Sequence, residues 1–254
     1  MTGSEIYNYP EYYDIAFSFR DIPAEVDVFE DCIRSYAKIP VHTFLELACG
    51  NSPHMLEICN RGYKYVGLDI NEEMLRYSRN KVSTPIEVEL KKGDLCHFTL
   101  SAPVEFAFIA LGSLYVKDAG TLESHFRSMA QAIKKGGLYF LDWCIYFNTS
   151  PTFEQSWEIE RDGVVVQTTV KGRVIEPVQQ LYKEEITFEV DAHGRKESYR
   201  GIDSKRLLYP QEFLLYVEHE TEFEFVGWWN NWNLNESLPG TVDISRPIVV
   251  LRRR

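Results

Sequence analysis

An apolar run, Phe44-Leu45-Glu46-Leu47, breaks into the small-residue turn Ala48-Cys49-Gly50-Asn51-Ser52, and a second apolar run, Tyr65-Val66-Gly67-Leu68, ends on Asp69. The first run, with Val41 ahead of it, is too short for a helix and reads as a buried parallel strand. Ala48, Cys49 and Gly50 leave room for a ligand to approach the backbone, and Gly50 tolerates the positive φ such a turn needs. Ser52 and Pro53 suit the start of a helix through Met55, Leu56 and Ile58 that runs out near Gly62. Strand, turn, helix and strand in this order predict an open α/β sheet with its ligand at the carboxyl ends of the strands.

Asp69 follows Gly50 by nineteen positions. An acid about 20 residues beyond a small-residue turn is placed to accept hydrogen bonds from the two hydroxyls of a ribose. Asn71 is the predicted cap of the next helix, with Glu72 and Glu73 in its first turn and Met74, Leu75, Ser78 and Val82 on one face. Asp69 therefore need not serve as the cap. The turn lacks the three glycines that admit a dinucleotide pyrophosphate, which argues against a nicotinamide-dependent dehydrogenase.

The segments Glu46-Leu47-Ala48-Cys49-Gly50-Asn51 and Gly67-Leu68-Asp69-Ile70-Asn71-Glu72-Glu73-Met74-Leu75 resemble the first two motifs of the class I S-adenosylmethionine-dependent methyltransferases. Gly93-Asp94-Leu95, the run Phe106 to Ala110 and the passage Ile133 to Phe140 resemble later motifs of that family, in the same order. The resemblance covers roughly residues 41 to 143 and resumes near the C-terminus. Ala48 and Ser52 stand where the family usually has glycine.

The resemblance implies S-adenosylmethionine as cofactor. Glu46, Ala48 and Gly50 would hold its methionyl part, Asp69 its ribose, and Asp94 the adenine amino group, with Ile70 and Leu95 as apolar contacts to the base. For Asp94 a simple capping role is the alternative. The segment Leu111-Gly112-Ser113-Leu114-Tyr115 would border the transferred methyl group. The likeness extends to small-molecule enzymes of the family, including sugar N-methyltransferases, in which an N-terminal aromatic segment closes over the cofactor. That assigns Tyr13 to the closing segment, or else to simple packing, and Arg20 to the methionyl carboxylate.

The order of elements predicts a Rossmann-like, mostly parallel seven-stranded sheet with helices on both faces and an inserted antiparallel β meander. Residues 1–143 form the N-terminal cap and cofactor-binding core, 144–206 the inserted element, and 207–254 the completion of the core sheet. Tyrosines at positions 7, 9, 12 and 13 precede a helix from Ala24 to Tyr36. A helix bearing Leu122, Phe126, Met129 and Ile133 is expected to end at Gly136. Asp162-Gly163, Lys171-Gly172 and Asp191-Ala192-His193-Gly194 read as the turns of the insertion. A helix at Pro210 to Val217 and strands at Thr221 to Trp228 and Ile248 to Leu251 follow.

The acceptor side is less defined. Trp228, Trp229 and Trp232 alternate with Asn230, Asn231 and Asn233. They suit either an acceptor pocket, Trp229 its wall, or an aromatic cap on the sixth strand. Tyr115 and Tyr146 are further wall candidates. No catalytic base is assignable; His54, His97 and His125 are available but isolated. Direct displacement at an activated sulfonium methyl needs alignment more than a strong base.

A net charge of −11 and the absence of an Asn or Asp followed by Pro-Pro and an aromatic after the fourth strand argue against a nucleic-acid acceptor. Arg252-Arg253-Arg254 reads as a solvated tail. No apolar stretch suits a membrane helix, the N-terminus is acidic rather than a signal sequence, and five scattered cysteines form no C-x-x-C pair, so a cytoplasmic protein without metal is expected. The reading is a methyltransferase acting on a nitrogen or oxygen of a small-molecule acceptor. The alternative is a catalytically silent S-adenosylmethionine-binding subunit whose β insertion is an interface, and a homodimer through that insertion is the partner this surface suggests.

Overall fold

The computed structural model describes residues 5–82, 87–148 and 150–254. A 3₁₀ turn at Glu5–Asn8 leads into α1 (Pro10–Ala16) and α2 (Ile22–Tyr36), after which strands and helices alternate: β1 (Thr43–Leu47), α3 (Met55–Asn60), β2 (Lys64–Asp69), α4 (Glu72–Asn80), β3 (Val88–Lys92), β4 (Val104–Ile109), α5 (Ala119–Ala132) and β5 (Ile133–Asp142). Four long strands follow, β6 (Thr152–Arg161), β7 (Val164–Glu176), β8 (Leu181–Ala192) and β9 (Arg195–Arg206). The chain then completes the first sheet with α6 (Pro210–Glu220), β10 (Phe223–Trp229) and β11 (Ile248–Arg253).

The larger sheet has seven strands in the order β10-β11-β5-β4-β1-β2-β3, and β11 runs antiparallel to both its neighbours. Chain order reverses between β1 and β4, so a crevice opens outside their carboxyl ends, where open α/β sheets bind ligands. Side chains alternate across β1. Leu45 and Leu47 join Phe126, Met129 and Phe213 under α5 and α6, whereas Phe44 joins Val26, Phe29, Met55 and Ile58 under α2 and α3. Glu46 shares the face of Phe44, which decides its partners. Both faces of the central strands are covered, and all six residues of β4 are buried.

β6 to β9 form a separate antiparallel meander in sequential order. Its inner face packs Val166, Phe188, Val190 and Tyr199 against Ile6, Ile15 and Ala16 of the N-terminal segment. The chain thus brings residues 6–16 under the insertion.

Local details differ from the sequence reading at four points. Ser52 is not the cap of α3: it takes φ 48° in the turn, and His54 occupies the cap position. α5 stops at Ala132 and passes straight into β5, so Gly136 is not a helix cap; it takes φ 86° inside the strand, where the β4–β5 register slips between Val104 and Phe106. Lys171-Gly172 lies within β7, where the missing Cβ makes room for the Tyr182 ring; Asp162-Gly163 and His193-Gly194, all at positive φ, turn the first and last hairpins of the meander, and Pro177 to Gln180 turn the middle one. The terminal arginines are not a free tail. Arg252 donates to Glu224, and Arg253 is buried against Phe223 and donates to Glu222.

Candidate active site

The turn after β1 takes positive φ at Ala48, Gly50 and Ser52, near 50° at each. That winding aims the Gly50 amide at the carboxyl end of β2, where it donates to Asp69 Oδ2 at 2.7 Å. The other oxygen of Asp69 accepts from the Asn71 amide at 2.7 Å, and Asn71 itself caps α4 by accepting from the Met74 amide. Burial raises the pKa of Asp69, and the amides of Asn71 and Gly50 oppose that shift. A Cβ added at Gly50 would meet nothing within 4 Å. Beside this open space Ile70 is 67% exposed, an apolar side chain left without cover at the rim.

Asp94 and Leu95 follow β3 at the same edge. Asp94 is exposed and its Oδ1 accepts from the Cys96 amide at 2.8 Å, while Leu95 is half-buried against the core. Asp69, Ile70, Asp94 and Leu95 therefore share the carboxyl rim with Ala48 and Gly50.

Glu46 does not face that rim. Its position on the α2–α3 side of the sheet turns it into a buried chain of charges: it accepts from Tyr65 Oη at 2.5 Å and lies 3.0 Å from His54 Nδ1. His54 Nε2 is 2.9 Å from Glu25 Oε2. Glu25 in turn accepts from Arg20 through Nε and Nη2 and from Arg246 Nη1 at 3.0 Å. Arg246 also grips both oxygens of Asp142, at 3.0 and 2.7 Å, and stacks on Trp232, whose Nε1 donates to Asp142 at 2.8 Å. Asp142 finally accepts from the Leu111 amide at 2.8 Å.

Three carboxylates are thus matched by two arginines and His54. Burial alone would lower the His54 pKa and the nearby Arg20 also opposes its charge, but the charge of Glu46 and the hydrogen bonds to Glu25 and Glu46 prevail, and the pKa is raised. For Glu25, burial is outweighed by His54 and Arg20, which hold its carboxyl far below the usual range. His125, by contrast, is buried with its Nδ1 on the Leu95 carbonyl, and burial depresses it to about 4.

Arg20 also borders a cavity of about 240 Å³ lined by Tyr13, Asp14, Asn51, Lys81 and Arg161. Asp14 accepts there from Asn51 at 2.6 Å, Lys81 at 2.8 Å and Arg161 at 2.9 Å, tying α1 to the turn, to α4 and to the β insertion. The Tyr13 ring lies 4.5 Å from that of Phe17 and 5.9 Å from that of Tyr7. Burial holds its hydroxyl protonated; Arg20 opposes this, and Asp69 and Glu184 add to it. Its ring lies 6.1 Å from that of Phe188 in the insertion.

On the far side, Leu111 and Gly112 take positive φ, 54° and 66°, held by the amide bonds of both to Asp142. Tyr115 Oη donates to Glu184 on β8 at 2.6 Å. The Tyr146 ring lies 6.0 Å from that of Tyr182, tilted, and 5.9 Å from that of Tyr209, edge-on, and its hydroxyl donates to the Ser150 carbonyl. Trp229 is not brought here. Alternation along β10 sends it to the α2 side, 7% exposed with its ring 5.3 Å from that of Tyr36, while Trp228 goes to the opposite face. The sequence reading missed Glu25, Asp142 and Arg246. Asp142 ends a core strand just as Asp69 does, which was the available signal; the other two are joined to it only by the fold.

Residues 44–137 match the family model described as a methyltransferase domain. This segment is similar to methyltransferase domains. The Bacillus subtilis (strain 168) protein YqeM is 26% identical to this chain over 120 residues, 46% of its length, and the match spans 49%, about half, of YqeM. The dTDP-3-amino-3,4,6-trideoxy-alpha-D-glucopyranose N,N-dimethyltransferase of Streptomyces venezuelae is 25% identical over 169 residues, covering 63% of this chain and 67% of that one. The crystal structure of an S-adenosylmethionine-dependent methyltransferase from Clostridium acetobutylicum superposes on this chain with a TM-score of 0.77 at 17% identity, over 95% of this chain and 96% of that one, a likeness of fold. No helix among the described residues is long and apolar enough to cross a membrane.

Proposed function

We propose that the protein binds S-adenosylmethionine at the rim of β1, β2 and β3 and transfers its methyl group to the nitrogen of a small-molecule amine. The observation that carries this is Asp69, an acceptor-only carboxylate fixed at the switch point by the Gly50 and Asn71 amides, with open space at Gly50 and exposed Ile70 beside it. The donor set suits a ribose and an adenine: a carboxylate for vicinal hydroxyls and an uncovered apolar side chain for the base. Asp69 would hold the ribose, Ile70 and Leu95 the base with Asp94 near its amino group, and Ala48, Gly50, Tyr13 and Arg20 the methionyl end.

When bound, the sulfonium supplies a methyl group whose leaving group is already activated by charge. The chain's part is to align the acceptor and exclude water. Leu111 and Gly112, fixed from below by Asp142, would border the reacting centre, with Tyr115 and Tyr146 as acceptor walls. Tyr13 and the N-terminal segment would cover it. Glu46 acts through His54 and Glu25 as a positioning group rather than by touching the cofactor.

The named Streptomyces relative acts on an amino sugar, which favours nitrogen over oxygen as the acceptor atom. Labelled-methyl transfer from S-adenosylmethionine to a panel of amino-sugar nucleotides and their hydroxyl counterparts tests the reading. Transfer to an amine supports it; transfer confined to hydroxyls, or none while the cofactor binds, contradicts it.

A further inference from the structure

The turn after β4 leaves the sheet at the carboxyl end where chain order reverses, so its residues border the crevice by topology. Its backbone is left-handed at Leu111 and Gly112, and a leucine keeps such a φ only where its surroundings fix it. From the larger sheet Asp142 does so: its Oδ2 accepts from the Leu111 amide at 2.8 Å and its main-chain carbonyl from the Gly112 amide at 2.9 Å. The Gly112 carbonyl is held from the other sheet.

Lys205, the penultimate residue of β9, shares the inner face of the meander with Tyr199 by strand alternation. Its Nζ donates to the Gly112 carbonyl at 2.9 Å, and among the described residues no other donor reaches that carbonyl. Two further bonds join the same end of the meander to the same segment. Tyr115 Oη donates to Glu184 on β8 at 2.6 Å, and the Arg206 amide donates to the Val116 carbonyl at 2.7 Å. Glu184 also accepts from Lys205 at 3.3 Å, and the ammonium lies 5.0 Å from the centre of the Tyr115 ring.

Packing alone does not call for a lysine here. Its side chain is only 15% exposed, and withdrawing an ammonium from water costs stability that a methionine of similar length avoids. Nor can Gly112 be fastened by a side chain of its own: a Cβ there would come within 2.9 Å of the Trp143 carbonyl and 3.6 Å of Lys205 Nζ. The charge-assisted bond from Lys205 is what holds the carbonyl, while Glu184 and the Tyr115 ring compensate the buried charge.

We propose that Lys205 is a positioning residue for methyl transfer; the assignment rests on the methyl-transfer reading above. Braced by Glu184, it fixes the Gly112 carbonyl and with it the turn that borders the reacting centre, and it acts through Gly112 rather than by touching the cofactor. The meander thereby takes part in the reaction instead of only covering the crevice. Without the ammonium the turn loses its hold from that side and the acceptor its alignment, whereas Asp69, fixed by the Gly50 and Asn71 amides, is unaffected.

The test uses the full chain, with dTDP-3-amino-3,6-dideoxyglucose and its 3-hydroxyl counterpart as probes. Labelled-methyl transfer is followed on the probe that the wild type methylates, in the wild type, Lys205→Met, Lys205→Arg and Glu184→Gln. Calorimetric affinity for S-adenosylhomocysteine and amide hydrogen exchange over residues 111–116 are measured for each. Lys205→Met is expected to lower kcat at least about tenfold, with KM and calorimetric affinity within about threefold of wild type, because misplacement beside a reacting centre costs rate rather than binding. Exchange over residues 111–116 should quicken in that variant. Lys205→Arg, a cation that can serve both the Gly112 carbonyl and Glu184, should regain most of the lost rate. Glu184→Gln leaves the ammonium without its counter-charge; it should lower kcat in the same way, and it carries the test should Lys205→Met not fold. An unchanged kcat in Lys205→Met, or in Glu184→Gln standing in for it, overturns the assignment while the methyl-transfer reading stands. So does a loss of rate matched by an equal loss of affinity, or one that Lys205→Arg shares in full. A wild type that binds S-adenosylhomocysteine but methylates neither probe overturns the methyl-transfer reading and the positioning role with it.

Discussion

His54 Nδ1 lies 3.0 Å from Glu46 Oε1, and neither side chain reaches solvent. The acid one residue before the end of the first core strand is thereby committed to a structural cation, and the opposite ring nitrogen of His54 carries the link on to Glu25 and the N-terminal helices. The strand that feeds the glycine turn is fastened to the cap by charge rather than by packing alone.

Replacing His54 with Leu leaves Glu25 and Glu46 short of a buried partner, and about 3–5 kcal/mol of stability should be lost. The pH dependence has a definite sign. The folded-state pKa of His54 is raised, so its contribution is complete below the ordinary histidine value of about 6.5 and is lost as pH rises through the raised value. Urea denaturation of wild type and His54→Leu at several pH values should show the widest gap in mild acid and a narrowing gap on the alkaline side. A gap that widens with pH contradicts a protonated His54.

Asp142 governs the segment after β4. Its two oxygens receive the Leu111 amide, Trp232 and both arms of Arg246, so an amide at this position sets donors against donors. Asp142→Asn should displace the turn at Leu111 and reduce methyl transfer at least tenfold, since small misplacements beside a reacting centre cost up to about 100-fold. Affinity for S-adenosylhomocysteine should stay within about threefold, because Asp69 is untouched. Equal losses in both measurements would mean that Asp142 supports only the overall fold.

Asp14 joins three parts of the molecule at once. Burial raises its pKa, but Lys81, Arg161 and Asn51 prevail and depress it. Its contribution is therefore present above the ordinary carboxylate value and fades as pH falls through the depressed one. Hydrogen exchange should show α1 losing protection in acid in the wild type, and Asp14→Ala should show the same low protection at neutral pH.

The core fold was legible because it rests on local patterns. The apolar run Phe44 to Leu47, the run ending in Asp69, and Asn71 placed to cap α4 follow from residue spacing alone. The rim was legible for the same reason, since Asp69 and Ile70 lie next to each other at one strand end. What the spacing could not show was which way Glu46 turns: that depends on Glu25 and His54 arriving from two helices above the same face. Gly172 illustrates a second limit. It resembles a turn glycine, yet it lies in mid-strand because Tyr182 on the neighbouring strand occupies the space a Cβ would need.

The central claim is that Asp69 holds the cofactor's ribose, and isothermal calorimetry with S-adenosylhomocysteine tests it most directly. Hydrogen bonds to a charged group contribute about 1.5–3 kcal/mol each, so loss of two should weaken binding by about 100-fold or more in Asp69→Ala, with the wild type binding measurably. No heat of binding in the wild type, or an unchanged affinity in a folded Asp69→Ala, would contradict it.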